Sequence, residues 1–571
     1  MDNKSAYLSR PWLAFYEQGV PAKPEIPLRT VPQAFDEATE RYAAQTALVF
    51  HGREISYRKL REETDRFALG LVKLGVKKGD RVALYLLNSP QFIIAYFAVL
   101  KLGATPTPVS PVYTSHEVKF QLANSGARVV ICQDILFDKV EKSGASLDHV
   151  VVTNIGDYLP PMRRVIGRSF LGKIFTELNV PAPAMPKRAN VHDFRDLAAT
   201  AKGELLPVTI DPMTDLAALP YTGGTTGNPK GVMLTHYNLI SAQIAGEVGF
   251  TKLEPGKEVA LAFLPLFHIY GQVVIMLGGL MQGATLVLFT TPDTESILEA
   301  MERYKATVFY GVPTLYEYLK DHKDTGKVNW RRLKLLISGA DTLHESTMKE
   351  WTQRTGSSIT EGYGMTETCA AAHVNPLNRP KTGSFGVPVP NVMAAVIDPE
   401  TSEFVAPGES GELILNGPNI MVGYWNAPEE SAKVFMEIDG ERWMRTGDIV
   451  HMDEEGYFHF HDRSKDLIKY KGHSVFAKDV EDVLYEHEMI KGAGVIGVPD
   501  PAVGQRIKAI IVLQPEARGK LSEEDILAYC REQLADYKVP QIIEFRGELP
   551  KTDVGKVSRR ELREQHDERS A

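Results

Sequence analysis

The chain has 571 residues, 43% of them hydrophobic and 24% charged, a globular composition long enough for about three or four domain-sized units. Acidic residues outnumber basic ones by 73 to 64, and the resulting charge of −9 leaves no electrostatic footprint for a nucleic-acid partner. The cysteines Cys132, Cys369 and Cys530 are odd in number, far apart and in no CxxC spacing, which argues against a disulfide framework and a structural zinc site and for a reducing compartment.

The opening MDNKSAYLSRPWLAFYEQG lacks a basic start followed by an apolar stretch. The runs Phe92–Leu100 and Val273–Met281 are too short to span a bilayer, so a soluble cytoplasmic protein is expected. From residue 45 strands and helices alternate. TALVF reads as a strand, Tyr57–Leu74 has apolar residues at helical spacing, and RVALYLL is a strand again. Ser89 then caps a helix with Pro90 in its first position, and Gly103 ends it. Thr114 and Glu117 form a capping-box pattern before EVKFQLANS, Gly126 stops that helix, and ARVVICQ is a β-branched strand. This rhythm predicts an α/β fold of doubly wound sheets.

Residues 155 to 190 interrupt it with PP, PAPAMP and the basic cluster Arg163, Arg164, Arg168, Lys173, Lys187 and Arg188. The segment reads as a solvated surface insertion; the alternative is a contact with anionic membrane lipid or a phosphate-bearing substrate. Strand-like runs resume at Leu216 and after 258 (VALAFLPL, TLVLF, ATVFYGV, LKLLISG). Beyond about 462 the elements shorten and the helices become charged. The expected division is a large N-terminal domain, 1–462, and a small α+β C-terminal domain, 463–571.

The segment richest in chemistry is YTGGTTGNPKGVMLT. Gly223, Gly224 and Gly227 let backbone approach a ligand closely, Thr222, Thr225 and Thr226 bring hydroxyls, and Lys230 adds a cation. That set suits a polyphosphate. An ordinary glycine-rich hairpin rarely needs three threonines and a lysine. A Walker P-loop needs adjacent Gly-Lys followed by Ser/Thr, whereas Asn228 and Pro229 separate Gly227 from Lys230 here.

This stretch resembles the phosphate-binding signature of the adenylate-forming enzymes, the superfamily of acyl-CoA synthetases, luciferases and peptide-synthetase adenylation domains. The resemblance continues in order through LPLFHIYG (264–271), SGAD (338–341), EGYGMTE (361–367), RTGD (445–448), DRSKDLIKYKG (462–472) and PKTDVGK (550–556). It implies ATP and CoA as substrates, Mg²⁺ as cofactor, and no nucleic-acid partner. By similarity the 222–230 loop holds the β- and γ-phosphates, Thr366 bonds the α-phosphate, and Glu367 and Thr222 serve the metal. Lys556 is the catalytic cation at the carboxylate and α-phosphate. Asp448 and Arg463 hold the ribose, and Tyr363 lies against the adenine. Glu361 and Gly364 belong to the same nucleotide stretch, and Gly339 and Gly362 leave room for the base. His268, a structural histidine if read alone, borders the acyl pocket and CoA channel in the relatives. The relatives rotate the C-terminal domain about a hinge matching Lys465, which brings Lys469 to the adenylate while Lys471 and Gly472 lie near CoA.

Within the superfamily, the opening SRPWLAFYEQGVP, the TGGTTG loop, the insertion and the ending LPKTDVGKVSRRELRE resemble bacterial and archaeal long-chain fatty acid CoA ligases. No carrier domain follows in the sequence, which speaks against a peptide-synthetase module. The expected enzyme is an AMP-forming acid–thiol ligase for a medium- or long-chain fatty acid, as monomer or homodimer, with membrane contact through the insertion left open. An aryl-acid ligase, or an acyl-AMP ligase loading a carrier protein, is the alternative. A P-loop kinase is disfavoured by the absent Gly-Lys-Ser/Thr, and a catalytically silent homologue by retention of Lys230, Glu367, Asp448 and Lys556. Asp341 and Thr342 stand where many relatives have Ala-Pro. Ser474, Ala477 and Asp479 replace a longer amide, a proline and a glutamate.

Overall fold

The computed structural model describes residues 2–160, 186–222, 229–471, 473–517, 519–551 and 557–570, with backbone alone at 465, 474 and 570. Two sheets with parallel pairing dominate. The larger runs, in spatial order, Val387–Pro388, His373–Val374, Thr360–Tyr363, Leu335–Ser338, Val308–Gly311, Val259–Ala262, Thr285–Leu288, Thr46–Phe50 and Arg53–Ser56. Its centre is parallel and both ends turn antiparallel. The second sheet, Thr105–Pro108, Arg81–Tyr85, Val129–Gln133, His149–Thr153 and Val191–Asp193, is parallel throughout. The proline-rich TPTP strand sits on its edge, where missing N–H donors cost least.

Local signals place the helices as expected. Ser89 accepts from Phe92 N, with Pro90 in the first turn. Thr114 and Glu117 make both halves of their capping box, and Gly126 closes that helix at φ 68°. The helix Pro90–Lys101 is buried along its whole length, which explains why Phe92–Leu100 is apolar all round. Lys101 is buried with it because Asp36 and Asp65 neutralise it at 2.6 and 2.5 Å. The other apolar run forms a π-wound segment, Tyr270–Leu277, continuing into Gly278–Met281. Among the described residues no helix is long and apolar enough to cross a membrane.

The alternation in the sequence did not predict the antiparallel sheet built from Met393–Ile397, Gly411–Asn416, Phe435–Ile438, Glu441–Met452 and Phe458–Arg463. A signal for one hairpin was present: Asp439-Gly440, with φ 53° and 80°, supplies the two positive-φ positions of a tight turn. The last sheet joins His473–Val475, Ile468–Tyr470, Gly504–Leu513, Ile490–Asp500 and Ile542–Arg546. Its core, including Ile468, Val480, Leu484, Val495, Ile511 and Ile526, is separate from the large core whose last member is Phe458. The insertion falls mostly on 161–185, outside the described residues; at its end Arg188 pairs with Glu141 at 2.7 Å.

Candidate active site

The phosphate-loop signature sits on a hairpin: Tyr221–Thr222 pairs antiparallel with Lys230–Gly231. Gly223, Gly224, Thr225, Thr226 and Gly227, between these flanks, lie outside the described residues. Both flanks, Thr222 and Lys230, line a cavity of 1890 Å³. The Lys230 ammonium pairs with Glu430 at 2.6 Å and stands 4.9 Å over the Tyr424 ring. Hydrogen bonds from Lys230 and Lys433 hold the Glu430 carboxyl down at about 2. Tyr424 Oη in turn donates to Glu367 Oε1 at 2.9 Å.

Glu367 follows from the folding of EGYGMTE. The strand Thr360–Tyr363 ends at Gly364, where any Cβ would collide with the carbonyl of Ala370. The turn Thr366–Thr368 then passes through Cys369 and Ala370 at φ 53° and 83°, a costly backbone that doubles the chain back. Glu367 is thereby buried, and burial raises its carboxyl above the usual range against the opposing Tyr424 bond. Thr366 and Glu367 face the same cavity as Thr222. A buried carboxylate is a donor for a hard cation, because the cation removes the cost of the buried charge, so these residues fit Mg²⁺. Among the described residues no group of three or more His, Cys, Asp or Glu is arranged to hold a metal ion by itself.

Asp448 is buried at the cavity wall. Tyr363 Oη donates to its Oδ2 at 2.6 Å, and Arg463 Nε stands 3.4 Å from Oδ1. An ionised carboxylate accepts at about four lone-pair positions, so it retains capacity for two ribose hydroxyls. Burial and the neighbouring Asp448 raise the Tyr363 phenol well above its ordinary value and keep it neutral as a donor. Gly339, Glu361, Gly362 and Gly364 line the same cavity. Burial pushes Glu361 up to about 7, although Leu343 N donates to it.

His268 also lines the cavity, and its Nδ1 accepts from Tyr270 N at 3.3 Å. This turn requires Gly271, since a Cβ there would strike the carbonyl of Pro265. The lining also includes small apolar residues, Ala242 and Gly246 from the helix His236–Gly249 and Val274, Gly278, Gly279 and Ala284, alongside the polar Gln243, Glu247 and Gln282. The departure residue Asp341 lines the cavity beside Gly339.

The C-terminal unit closes the cavity with Glu481, Tyr485, Lys551, Val557 and Ser558. Lys556 and Gly472 lie outside the described residues, and so does the side chain of Lys465, whose backbone is in the short turn Ser464–Asp466. Lys469 and Lys471 are exposed and are not brought to the cavity; Lys469 lies on the strand Ile468–Tyr470 and Lys471 stands 5.2 Å over Tyr470. Sequence reasoning missed Tyr424, Glu430, Asp462, Glu481 and Arg559. No local pattern links Lys230 to a glutamate 200 residues away.

The model of the AMP-binding enzyme family matches residues 35–425, and that of the AMP-binding enzyme C-terminal domain matches residues 479–556. A long-chain-fatty-acid–CoA ligase of Bacillus subtilis is 37% identical over 564 residues, 98% of each chain. Among solved structures, an anthranilate CoA ligase in complex with anthranoyl-AMP superposes with a TM-score of 0.80 at 28% identity, covering 95% of this chain and 98% of that one. ATP-bound MatB from Rhodopseudomonas palustris gives 0.79 at 30% identity, covering 94% and 99%. The chain belongs to the AMP-binding enzyme family.

Proposed function

We propose that this AMP-binding enzyme is an ATP-dependent acyl-CoA ligase that activates a medium- or long-chain fatty acid as its acyl-adenylate and then transfers the acyl group to CoA, releasing AMP and pyrophosphate. The carrying observation is one cavity with two characters. Buried Asp448 and Glu367 and half-buried Tyr363 line one part, and small apolar residues that include Gly246 and Gly279 line the other.

A carboxylate is a poor acyl donor because its leaving group would be oxide. Transfer to the α-phosphate of ATP creates a weakly basic leaving group, at the cost of bringing two anions together. In this reading Asp448, oriented by Tyr363, and Arg463 hold the ribose. Lys230 and the 222–227 loop bind the β- and γ-phosphates, Lys230 exchanging Glu430 for phosphate. Thr366 donates to the α-phosphate, and Lys556 neutralises charge where the carboxylate attacks. Glu367 and Thr222 would hold Mg²⁺, which, when bound, offsets the charge of the phosphates. His268 stands between the nucleotide part and the apolar part, at the acyl carboxylate and the CoA entrance.

Thioester formation requires another cation beside the adenylate. We take 463–571 as a unit that turns about Lys465, bringing Lys469 inward and Lys471 and Gly472 toward CoA. The arrangement described here, with Val557 and Ser558 on the cavity and Lys469 exposed, suits the first half-reaction. An aryl acid is the second reading, favoured by the likeness to the anthranilate ligase.

The test is a carboxylate panel with ATP and Mg²⁺, from short to long fatty acids plus benzoate and cinnamate, with and without CoA. Fatty-acid-dependent AMP and acyl-CoA are expected. Thioester with aryl acids alone overturns the chain assignment, and pyrophosphate without thioester moves the acceptor to a carrier protein.

A further inference from the structure

Asp462 stands just before the hinge and is fully buried. Besides the neighbouring backbone N of Arg463, at 2.8 Å from Oδ1, its carboxylate is held by two groups that both lie beyond the hinge. Arg559 Nη1 donates to Oδ1 at 2.6 Å, and the backbone N of Lys478, in the first turn of the helix Ala477–Tyr485, donates to Oδ2 at 3.1 Å. Asp462 therefore caps a helix of the other unit, where the helix N-terminus favours an anion.

Arg559 is not a free surface cation that happens to reach Asp462. Its Nε and Nη2 donate to the two oxygens of Glu481 at 3.0 and 2.5 Å, a fork that fixes the guanidinium plane. Arg559 and Glu481 both follow residue 465, so this pair travels as one body, and only Nη1 reaches back across the hinge. Asp466, bonded by Arg563 and 3.5 Å from Arg559, adds a third carboxylate to the cluster. Turning about 465 would break both of these bonds to Asp462 at once and leave it the bond from Arg463 N. Losing the charge-assisted bond to Arg559 and the helix N-terminus together is costly, so the cluster resists that turn.

The position of Arg559 in the chain gives this resistance its consequence. Val557 and Ser558, immediately before it, line the cavity, and Lys556 precedes them. We propose that Asp462 and Arg559 form a latch that holds the C-terminal unit in the arrangement for acyl-adenylate formation, Arg559 being a positioning residue that acts through the adjoining Val557 and Ser558. The inference rests on the two-step ligase reading. Release of pyrophosphate and arrival of CoA must supply the differential binding that opens the latch, because a ligand shifts two states only by its difference in affinity for them.

The experiment uses the full chain with Asp462→Asn, which keeps an oxygen for Lys478 N and removes the charge that holds Arg559. Two steps are timed separately with dodecanoate chemistry: pyrophosphate release from ATP and the acid, and thioester formation from synthetic dodecanoyl-AMP and CoA. The latch predicts that the first step slows about tenfold or more while the second stays within about twofold or quickens. Arg559→Gln gives the same split, and Arg559→Lys recovers part of the loss. If Asp462→Asn does not fold, the Arg559 pair is read by the same ratio. Equal loss in both steps, or loss in neither, overturns the latch and leaves the ligase reading standing. Wild-type protein that performs neither step overturns the ligase reading and the latch with it.

Discussion

Tyr363 Oη donates to Asp448 Oδ2 at 2.6 Å, joining the end of a strand in the nine-stranded sheet to a strand of the antiparallel sheet. The bond orients the carboxylate assigned to the ribose without touching the reacting phosphate. Tyr363→Phe therefore leaves Asp448 in place but less constrained. The expected outcome in steady-state kinetics is an ATP KM raised about fivefold with kcat within about threefold, the pattern of lost uniform binding. An unchanged ATP KM would contradict the orienting role.

Glu361 carries a carboxyl pushed up by burial from 4.5 to about 7. The folded chain therefore keeps a proton that the unfolded chain releases. This contribution to stability is fully present below about pH 4.5 and is lost as the pH rises through about 7. Glu361→Gln, which can still accept from Leu343 N, should match wild type near pH 4 and exceed it by a few kcal/mol at pH 8. Denaturant titrations at the two pH values check this, and a gap that does not depend on pH would refute it.

Gly246 faces the apolar part of the cavity, with nothing within 4 Å of a Cβ built on it. A side chain can therefore start there without a clash at its Cβ, and the helix gains from losing a glycine in its last turn. Gly246→Phe should lower kcat/KM for palmitate at least about tenfold and change that for hexanoate less than about threefold. Equal effects on both acids would place the acyl chain elsewhere.

Lys556 and Lys469 should separate the two half-reactions. Lys556→Ala is expected to slow acyl-adenylate formation by about a hundredfold or more with an unchanged melting midpoint. Lys469→Ala should spare that step and slow thioester formation from supplied acyl-adenylate. Near-normal adenylate formation by Lys556→Ala would remove its assigned role.

What the sequence determined by itself is the part encoded locally. Ser89-Pro90 and the Thr114/Glu117 box start helices through bonds spanning three residues, and Gly126 ends one through its own φ. The ordered motifs identified the superfamily for a related reason: each is a short stretch whose residues act together. The turn at Asp439-Gly440 was legible on the same grounds, and the sheet around it was not, since strand pairing depends on partners far along the chain. Only the tertiary structure could pair Lys230 with Glu430, set Tyr424 on Glu367, or bring Arg559 to Asp462, separated by 200, 57 and 97 residues. Such contacts leave no periodicity behind. Lys230 and Glu430, each about a third exposed, meet because the fold sets their strand and helix side by side. For Glu367 and Asp462 the packed fold excludes water, and a group so excluded must be matched by whichever partner the topology delivers.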